Sequence, residues 1–370
     1  MTSFFRRATR ELVPYEPGKP VEEVQRELGL ERVVKLASNE GPYGPFPSAL
    51  AALERLLPEL NRYPDGAAYA LRARLAEIHG VRFEEIAPGA GADGVVDCVS
   101  QAVLDEGDEV VCGWPSFPSY VIDAAKLGAV PVRVPLRADR YDLDALLDAV
   151  TPRTKIVYVC LPNNPTGTTN TRAELDAYFD RVPDHVLTVV DQAYFEYIED
   201  PEYPDAIAEH FRAGRRVLVL RTFSKIYGLA GARIGYGVGA AELVRELAKV
   251  RRAFDVTSVG QIAALASLDD AAELGRRRAE VARDRERVSK SLEDAGFAVA
   301  QPAVANFVYA DTGEDARPLF NALLREGVIV RPLHAFGAPT AIRVTVGTAE
   351  ENEIFADALA RVASAAPATT

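Results

Sequence analysis

The sequence predicts an α/β fold in which a mostly parallel central sheet is covered by helices, with a smaller α+β lobe beside it. From about residue 90 to residue 240, short β-branched apolar runs alternate with helical stretches. Such near-continuous apolar strands are typical of a parallel sheet that is buried on both faces. After Gly239 long, charged helices replace this alternation, and a chain of 370 residues is long enough for two lobes.

The central sheet is predicted from five apolar runs that helical stretches separate, among them Asp93 to Leu104 and Arg172 to Phe179. Because strands joined by helical crossovers run parallel, their carboxyl ends share one edge of the sheet, where open α/β sheets bind ligands. The residues that follow each strand are therefore candidates for chemistry. The predicted strands are Glu109 to Cys112, Val130 to Val134, Lys155 to Cys160, His185 to Val190 and Val217 to Leu220.

The smaller lobe is predicted from the C-terminal part of the chain. Two long helices are expected over residues 240–253 and 261–295, and the charged residues of the second are expected to form a solvated face. Strands are predicted over 306–310 and 341–346, with a helix between them and a final helix over 350–363. The predicted division is an N-terminal arm (1–35) that completes the small lobe, a large domain (36–255) and a small C-terminal domain (256–370).

Composition and charge exclude several classes of partner. A net charge of −12 and a pI near 5.0 argue against nucleic acid and against a membrane surface. Cys98, Cys112 and Cys160 lie in apolar stretches without metal or CxxC spacing, which predicts reduced thiols in a cytoplasmic protein. No apolar stretch is long enough for export or a membrane span, and four scattered histidines predict no metal centre.

Lys225 is the first candidate for catalysis. It follows the predicted strand at residues 217–220 and precedes two glycine turns, with Thr222 and Ser224 just before it and Arg233 eight residues after it. This combination is typical of a lysine that forms a Schiff base with an aldehyde cofactor, while the hydroxyls and the guanidinium bind the phosphate of that cofactor. The alternative is an ordinary exposed loop lysine.

Two more strand ends carry groups that a pyridoxal ring needs. Asn164 follows the strand at residues 155–160, and Asp191 and Tyr194 follow the strand at 185–190. A carboxylate against the ring nitrogen makes the ring an electron sink, and an amide and a phenol can bind its phenolate oxygen and lower the pKa of the Schiff base. Once free, Lys225 could move the proton. Each residue alone also fits a structural role, as a turn residue, a helix cap or a core aromatic.

The segment Gly89 to Gly94 matches the pattern GxGxxG but is interpreted as a phosphate cradle at a helix N-terminus. A dinucleotide site would need a strand before it and a ribose-binding acid about 20 residues after it. The preceding segment, Val81 to Pro88, is not predicted to be a strand because Pro88 interrupts it. Phe117 follows another strand end and could stack on a ring face, although a core role is the alternative.

With these residues the chain resembles the fold-type I pyridoxal-phosphate-dependent aminotransferases, and specifically the histidinol-phosphate aminotransferase family, along essentially its whole length. The motifs that carry the resemblance are YEPGKP (15–20), LASNEGPYGP (36–45), NRYPD (61–65), PNNPTG (162–167), DQAY (191–194), RTFSKIYGLAGARIGY (221–236), VRPL (330–333) and IRVTVGT (342–348).

The resemblance implies a role for each matching residue. Lys225 would be the Schiff-base lysine, Asp191 would bind the pyridine nitrogen, and Asn164 and Tyr194 would bind the phenolate oxygen. Phe117 would stack on the ring. The residues implied at the cofactor phosphate are Ala92, Asp93, Thr222, Ser224 and Arg233, with Tyr63 reaching it from a neighbouring subunit of a homodimer with shared active sites.

The resemblance also implies a substrate pocket, in which Arg331 and Arg343 bind the anionic end of the substrate and Tyr15 and Asn39 line the walls. Two positions depart from the family pattern. Gln192 stands where a glutamate is usual, and Phe117 stands where many members carry tyrosine. Loss of that phenol could alter specificity.

The predicted activity is transfer of an amino group between L-histidinol phosphate and 2-oxoglutarate, in histidine biosynthesis. Arginine forks suit a pocket that accepts a phosphate in one half-reaction and a carboxylate in the other. An aromatic amino-acid (phenylalanine) aminotransferase would keep the same arginines and is the main alternative. A non-enzymatic pyridoxal-phosphate-binding regulator and a NAD-dependent oxidoreductase are remoter ones, the first disfavoured because no DNA-binding segment precedes the motifs.

Overall fold

The computed structural model describes residues 4–10, 12 and 18–365. The helices in this part are α1 Arg7–Arg10, α2 Val21–Leu28, α3 Pro47–Leu56, α4 Tyr69–His79, α5 Gly91–Val103, α6 Ser119–Leu127, α7 Leu143–Asp148, α8 Arg172–Phe179, α9 Ala241–Val250, α10 Ser258–Ser267, α11 Ala271–Asp294, α12 Ala316–Arg325 and α13 Ala349–Ala365. The strands are β1 Val34–Lys35, β2 Ile86–Gly89, β3 Glu109–Trp114, β4 Val130–Pro135, β5 Thr154–Cys160, β6 Leu187–Asp191, β7 Val217–Thr222, β8 Gly235–Gly239, β9 Ala298–Val299, β10 Phe307–Asp311, β11 Val328–Ile329, β12 Arg331–Pro332 and β13 Ala341–Thr345.

The predicted α/β class is confirmed, and its centre is a seven-stranded sheet of the described residues, in the order β2-β8-β7-β6-β5-β3-β4. The strands from β4 to β7 are mutually parallel, and β8 and β2 continue the sheet antiparallel. In register, Cys160 of β5 lies beside Asp191 of β6, and Asp191 lies beside Leu220 of β7. The carboxyl ends of these three strands therefore meet at one edge, as the apolar runs predicted.

Strand β2 corrects one expectation. The segment before the glycine-rich turn was not predicted to be a strand, because Pro88 interrupts it, yet residues 86–89 pair with β8. Proline is tolerated there because β2 is the last strand of the sheet, where one side of the strand needs no ladder hydrogen bonds. The pairing is antiparallel, whereas a dinucleotide-binding unit begins with a parallel strand.

The long helix predicted over residues 261–295 is in fact two helices, α10 and α11, so that prediction was wrong. The break falls at Leu268 to Asp270. Asp270 is the N-cap of α11, and its side chain accepts a hydrogen bond from the backbone nitrogen of Glu273 at 3.2 Å. A capping carboxylate satisfies a backbone donor that a new helix leaves open, which favours a fresh start over continuation.

The smaller lobe is built around an antiparallel sheet in the order β12-β13-β10-β9. Helices α11, α12 and α13 pack on it, and residues such as Val288, Leu323, Val344 and Phe355 form its buried core. Strand β1 pairs in parallel with β11, which brings the chain before the large sheet into contact with this lobe. The boundaries predicted after residues 35 and 255 stay a prediction.

Within the described part of the chain, none of the helices combines the length and apolarity needed to cross a membrane. Cys98, Cys112 and Cys160 are buried and form no disulfide. Burial raises the pKa of the Cys98 thiol to about 11 and that of Cys112 to about 12, so both stay protonated and unreactive near neutral pH.

Candidate active site

A cleft of about 270 Å³ opens at the carboxyl ends of β5, β6 and β7. It collects almost all of the site residues that the sequence predicted, although they come from segments far apart in the chain. Tyr63 does not line it, and Tyr15 lies outside the described residues. The predicted residues that line the cleft are Asn39, Ala92, Asp93, Phe117, Asn164, Asp191, Tyr194, Thr222, Ser224, Lys225, Arg233, Arg331 and Arg343.

The Lys225 amine lies at the centre of the cleft and donates a hydrogen bond to the backbone oxygen of Asn39 at 3.1 Å. Its pKa is lowered to about 8, first by burial and then by the positive charge of Arg343, whereas Glu40 and Asp191 act in the opposite direction. A lysine with this pKa is about one-tenth neutral at pH 7, whereas an ordinary lysine is neutral in less than about one part in a thousand. It can therefore act as a nucleophile or a base, which an exposed loop lysine cannot do as well.

The lowered pKa predicts how the reactivity of the Lys225 amine depends on pH in the protein without cofactor. Only the neutral amine reacts with acetic anhydride, so the labelling rate at Lys225 should fall about tenfold per pH unit below pH 8 and level off above it. A lysine in a short unstructured reference peptide serves as the control and should continue to gain reactivity up to pH about 10. Mass spectrometry of the labelled peptides measures both rates, and superimposable profiles would contradict the prediction.

Asp191 ends β6 and is almost fully buried. Its Oδ2 accepts a hydrogen bond from the Tyr120 hydroxyl at 2.6 Å, and its Oδ1 accepts one from the backbone nitrogen of Ala193 at 3.0 Å. Burial raises the pKa of Asp191, and these two hydrogen bonds oppose that rise. The arrangement is typical of a carboxylate that awaits a cationic partner. Tyr120, whose ring stacks on Tyr158 at 4.1 Å, was not among the predicted site residues.

Asn164 and Tyr194 flank the lysine with hydrogen-bond donors. The side-chain oxygen of Asn164 accepts a hydrogen bond from Arg343, so its amide nitrogen is the donor that remains. The Tyr194 hydroxyl accepts a hydrogen bond from Nδ2 of Asn39 at 3.0 Å. Burial raises the pKa of Tyr194, which keeps the hydroxyl protonated and able to donate.

An anion cradle lies at the other end of the cleft, where Thr222, Ser224 and Arg233 meet the N-terminus of α5. The Thr222 hydroxyl donates to Oγ of Ser224 at 3.0 Å, and Nη1 of Arg233 lies 3.4 Å from the same oxygen. Gly91 allows this approach, because a Cβ atom there would lie 2.6 Å from Nη2 of Arg233. The N-terminal N–H groups of α5, a helix that begins at Gly91, add a further attraction for an anion such as a phosphate.

Arg331 and Arg343 form a second cationic region. They lie opposite each other on the antiparallel strands β12 and β13, and both are nearly buried. Arg343 donates to the backbone oxygen of Ala37 at 2.8 Å, and the ring of Phe336 lies beneath both guanidinium groups, at 5.8 and 5.6 Å. Two planar guanidinium groups held close together in a low-dielectric pocket favour a bound carboxylate or phosphate.

Comparison with known proteins identifies the family. Residues 31–359 match the model for aminotransferases of class I and II. The histidinol-phosphate aminotransferase of Moorella thermoacetica is 44% identical over 358 residues, which cover 96% of this chain and 92% of that protein. The chain belongs to the histidinol-phosphate aminotransferase family. The Bacillus velezensis family member is 43% identical and covers 95% of this chain and 98% of its own length.

Solved structures agree with this placement and with the predicted fold-type I class. The histidinol-phosphate aminotransferase of Sinorhizobium meliloti, solved in complex with pyridoxal 5'-phosphate, superposes with a TM-score of 0.87 at 30% identity and covers 98% of both chains. An aspartate aminotransferase of Thermus thermophilus superposes with a TM-score of 0.84 at 25% identity, over 98% of this chain and 100% of that chain.

One departure from the family pattern has a structural explanation. Gln192 is fully buried, and its Oε1 accepts a hydrogen bond from Arg221 at 3.1 Å. Its Nε2 donates to the Tyr203 hydroxyl and to the backbone oxygen of Pro204, at 3.1 and 2.7 Å. A glutamate could not make these two donations. The charge of Arg221 is met instead by Asp205, at 3.1 Å.

Asn39 lines the cleft of its own chain, whereas Tyr63 lies outside it. Asn39 is buried with a φ of 55°, and its side chain is engaged by Tyr194 and by the Thr345 hydroxyl, at 3.0 and 3.3 Å. It therefore orients Tyr194. Tyr63 is 83% exposed and stacks on Phe254 at 4.7 Å, away from the cleft of its own chain.

Helix α11 supplies a residue that the sequence reasoning missed. Its charged residues were expected on a solvated face, but Arg277 is buried, stacks over Phe46 at 4.4 Å and pairs with Glu273 at 2.7 Å. Nη1 of Arg277 donates to the backbone oxygen of Ile226, the residue after Lys225, at 3.1 Å. Helical spacing was the available signal, since Arg277 shares the buried face with Val281, Asp284, Val288 and Leu292.

Proposed function

We propose that this aminotransferase moves the amino group of L-histidinol phosphate to 2-oxoglutarate, yielding imidazole-acetol phosphate and glutamate, with pyridoxal 5'-phosphate as its cofactor. Family membership supports the reaction class, and the relatives at 41–44% identity are named for this substrate. The observation that carries the proposal is that one cleft is lined by Lys225, whose pKa is lowered, by the anion cradle and by the pair of arginines.

The side chains of the cleft fit the cofactor at each of its polar positions. Its phosphate would lie in the anion cradle, with the N–H groups of Ala92 and Asp93 beside it. Asp191 would face the pyridine nitrogen, and Asn164 and Tyr194 the phenolate oxygen. Phe117, whose ring packs edge-on against Tyr120 at 5.5 Å, would cover one ring face. When bound, pyridoxal 5'-phosphate supplies a carbonyl carbon for an amine and a ring that accepts electrons from the substrate α-carbon.

The residues of the chain have separate tasks in this reaction. Lys225 is the residue that bonds to the cofactor, and its free amine removes the proton from the α-carbon of the substrate. A pKa near 8 leaves enough neutral amine for this step at neutral pH. Asp191, buried and hydrogen-bonded by Tyr120, keeps a negative charge where a cationic ring nitrogen needs it.

Arg331 and Arg343 explain how one pocket can bind the anionic groups of both substrates in turn. In the proposed arrangement Arg331 and Arg343 hold the phosphate of histidinol phosphate in one half-reaction and a carboxylate of 2-oxoglutarate in the other. Ala37 and Asn164 hold the Arg343 guanidinium in place from two sides, which fixes its direction before a substrate arrives. Tyr15 and Asn39 are further residues that we propose for the walls of the pocket.

The substrate assignment is tested by the ratio of kcat/KM for L-histidinol phosphate to that for L-phenylalanine, with saturating 2-oxoglutarate as the acceptor. We expect a ratio above about 100 in favour of histidinol phosphate, because phenylalanine offers a carboxylate where the arginines can hold a doubly charged phosphate. Glutamate formation measures both rates. A ratio below one would assign the chain to the aromatic amino-acid aminotransferases.

We also propose that the enzyme is a homodimer with shared active sites, in which Tyr63 reaches the cofactor phosphate of the other subunit. Tyr63 does not line its own cleft, and it stacks at 4.7 Å on Phe254, which is also exposed. Exposed apolar side chains that lie together are typical of an interface. Leu57 (60%) and Leu60 (52%), close to Tyr63 (83%) in the chain, are exposed as well.

Replacing Tyr63 with phenylalanine should weaken cofactor retention by about tenfold or more, because a hydrogen bond to a charged phosphate is lost. Tyr69→Phe is the matched control, since Tyr69 is also exposed but packs on Phe83 at 5.1 Å. Equilibrium dialysis of the cofactor measures the affinity, and sedimentation measures the oligomeric state. Unchanged affinity in Tyr63→Phe, or a monomer at the concentrations of the assay, would contradict the shared site.

Two broader features complete the proposal. A cytoplasmic location fits the three buried cysteines, none of which forms a disulfide. The division into an arm (1–35), a large cofactor-binding domain (36–255) and a small C-terminal domain (256–370) is proposed because one large buried core surrounds the seven-stranded sheet and a second one lies in the small lobe. Limited proteolysis with mass spectrometry would test these boundaries.

A further inference from the structure

A buried asparagine of the small lobe touches the same backbone oxygen as the lysine. Asn306 directly precedes β10 and is fully buried. Its Nδ2 donates to the backbone oxygen of Asn39 at 3.2 Å and to that of Glu40 at 3.2 Å. The Lys225 amine donates to the same oxygen of Asn39 at 3.1 Å. One carbonyl therefore joins the small lobe to the amine of the large sheet.

Two features indicate that this arrangement costs stability. Oδ1 of Asn306 is buried and has no hydrogen-bond partner among the described residues. Asn39 adopts a φ of 55°, in the left-handed region that residues other than glycine rarely occupy. Unsatisfied polar atoms and strained backbone persist where a function needs them, and here both surround the acceptor of the lysine.

We propose that Asn306 is a positioning residue of the transfer reaction: it holds the Asn39 carbonyl oxygen at the point where this oxygen accepts the hydrogen bond of the Lys225 amine. The proposal rests on the proposed role of Lys225 in the reaction. Asn306 belongs to the small lobe: its backbone oxygen accepts a hydrogen bond at 2.9 Å from the nitrogen of Val346, the residue after β13. A movement of that lobe would therefore shift the Asn39 carbonyl oxygen to which the Lys225 amine donates.

The charge state of the Lys225 amine depends on its burial and on the charged groups around it. Its uncharged amide donates to the carbonyl and adds no charge of its own, whereas an aspartate there would place a carboxylate near the amine. Asn306→Asp is therefore expected to raise the pKa of Lys225. The other charged or titratable groups that face the amine are Glu40, Asp191, Tyr194, Arg233 and Arg343.

The first test uses the protein without cofactor or substrate. The pH profile of acetic anhydride labelling at Lys225 should move upward by about one unit or more in Asn306→Asp, so that labelling at neutral pH falls about tenfold. Asn352→Asp is the matched control, because Asn352 is also buried but its side chain, among the described residues, bonds the backbone of Gly347, with its oxygen and its nitrogen each at 2.9 Å. Its profile should match that of the parent protein.

The second test removes the donor without adding a charge. Asn306→Ala should capture pyridoxal 5'-phosphate more slowly and should lower kcat about 10- to 100-fold with little change in KM, because the amine loses its orientation. If Asn306→Asp does not fold, as judged by its thermal melting, this variant decides. Folded variants with an unchanged labelling profile, capture rate and kcat would overturn the proposal. Because labelling and capture need no amino donor, a wrong substrate assignment would leave both results intact.

Discussion

Replacing Lys225 with alanine is expected to abolish multiple turnover while leaving the fold intact. The variant loses the residue that bonds to the cofactor and the base that moves the α-proton, and proton transfer by a positioned side chain alone contributes about 10²- to 10⁴-fold. The loss of kcat should therefore be at least of that size. Steady-state rates with histidinol phosphate and 2-oxoglutarate measure the effect.

Stability separates this result from misfolding. Folding lowers the pKa of Lys225 from 10.5 to about 8, so the folded state disfavours the charged amine, and the resulting loss of stability sets in below pH 10.5 and is complete below about pH 8. Lys225→Ala should therefore melt no lower than the parent protein at pH 7. Lys290→Ala, at an exposed lysine of α11, is the matched control and should keep full activity. Near-parent turnover in Lys225→Ala would contradict the role assigned to the lysine.

Replacing Asp191 with asparagine is expected to have the next largest effect, with a fall in kcat of about 10²- to 10³-fold. Asparagine has the same shape but removes the negative charge that stabilises a protonated ring nitrogen. Its Oδ1 can still accept one of the hydrogen bonds that Tyr120 and Ala193 now donate, so the fold should tolerate the change. The measurement is kcat for both half-reactions, together with cofactor affinity.

Tyr120→Phe is a matched variant whose activity should lie between those of the parent protein and Asp191→Asn. It removes one hydrogen bond to the carboxylate but keeps the ring that stacks on Tyr158 at 4.1 Å, so a loss of roughly tenfold is expected. The order of activities should be parent, Tyr120→Phe, then Asp191→Asn. Full activity in Asp191→Asn would show that the carboxylate does not stabilise the ring nitrogen, and it would remove the main reason for assigning Asp191 to the site.

The convergence of the central residues was predictable because it follows from strand order. Strands β5, β6 and β7 are adjacent and parallel, so whatever follows them must meet at one edge. Asn164, Asp191 and Lys225 therefore share a cleft, as their positions after apolar runs predicted. The family resemblance then assigned the more distant residues, such as Asn39 and Arg343, which no local pattern connects to the lysine.

Other features depend on tertiary contacts that a linear pattern does not contain. Strand β8 (Gly235–Gly239) is mostly glycine, and at Gly237 Val95 and Leu218 pack so closely that a Cβ there would lie 3.2 and 2.9 Å from them. In the sequence Arg277 resembles the many surface charges of its helix, because its contact with the Ile226 backbone oxygen forms only in the folded chain. The proposed contribution of Tyr63 involves a second subunit, which no pattern within one chain contains.

Single-turnover kinetics distinguish the two candidate amino donors. The cofactor-loaded enzyme is mixed with L-histidinol phosphate or, separately, with L-phenylalanine, without any acceptor, and the absorbance of the bound cofactor is followed. We expect conversion of the cofactor to its amine form to be at least about tenfold faster with histidinol phosphate, because Arg331 and Arg343 would bind its phosphate. Faster conversion with phenylalanine, or no conversion with either, would contradict it.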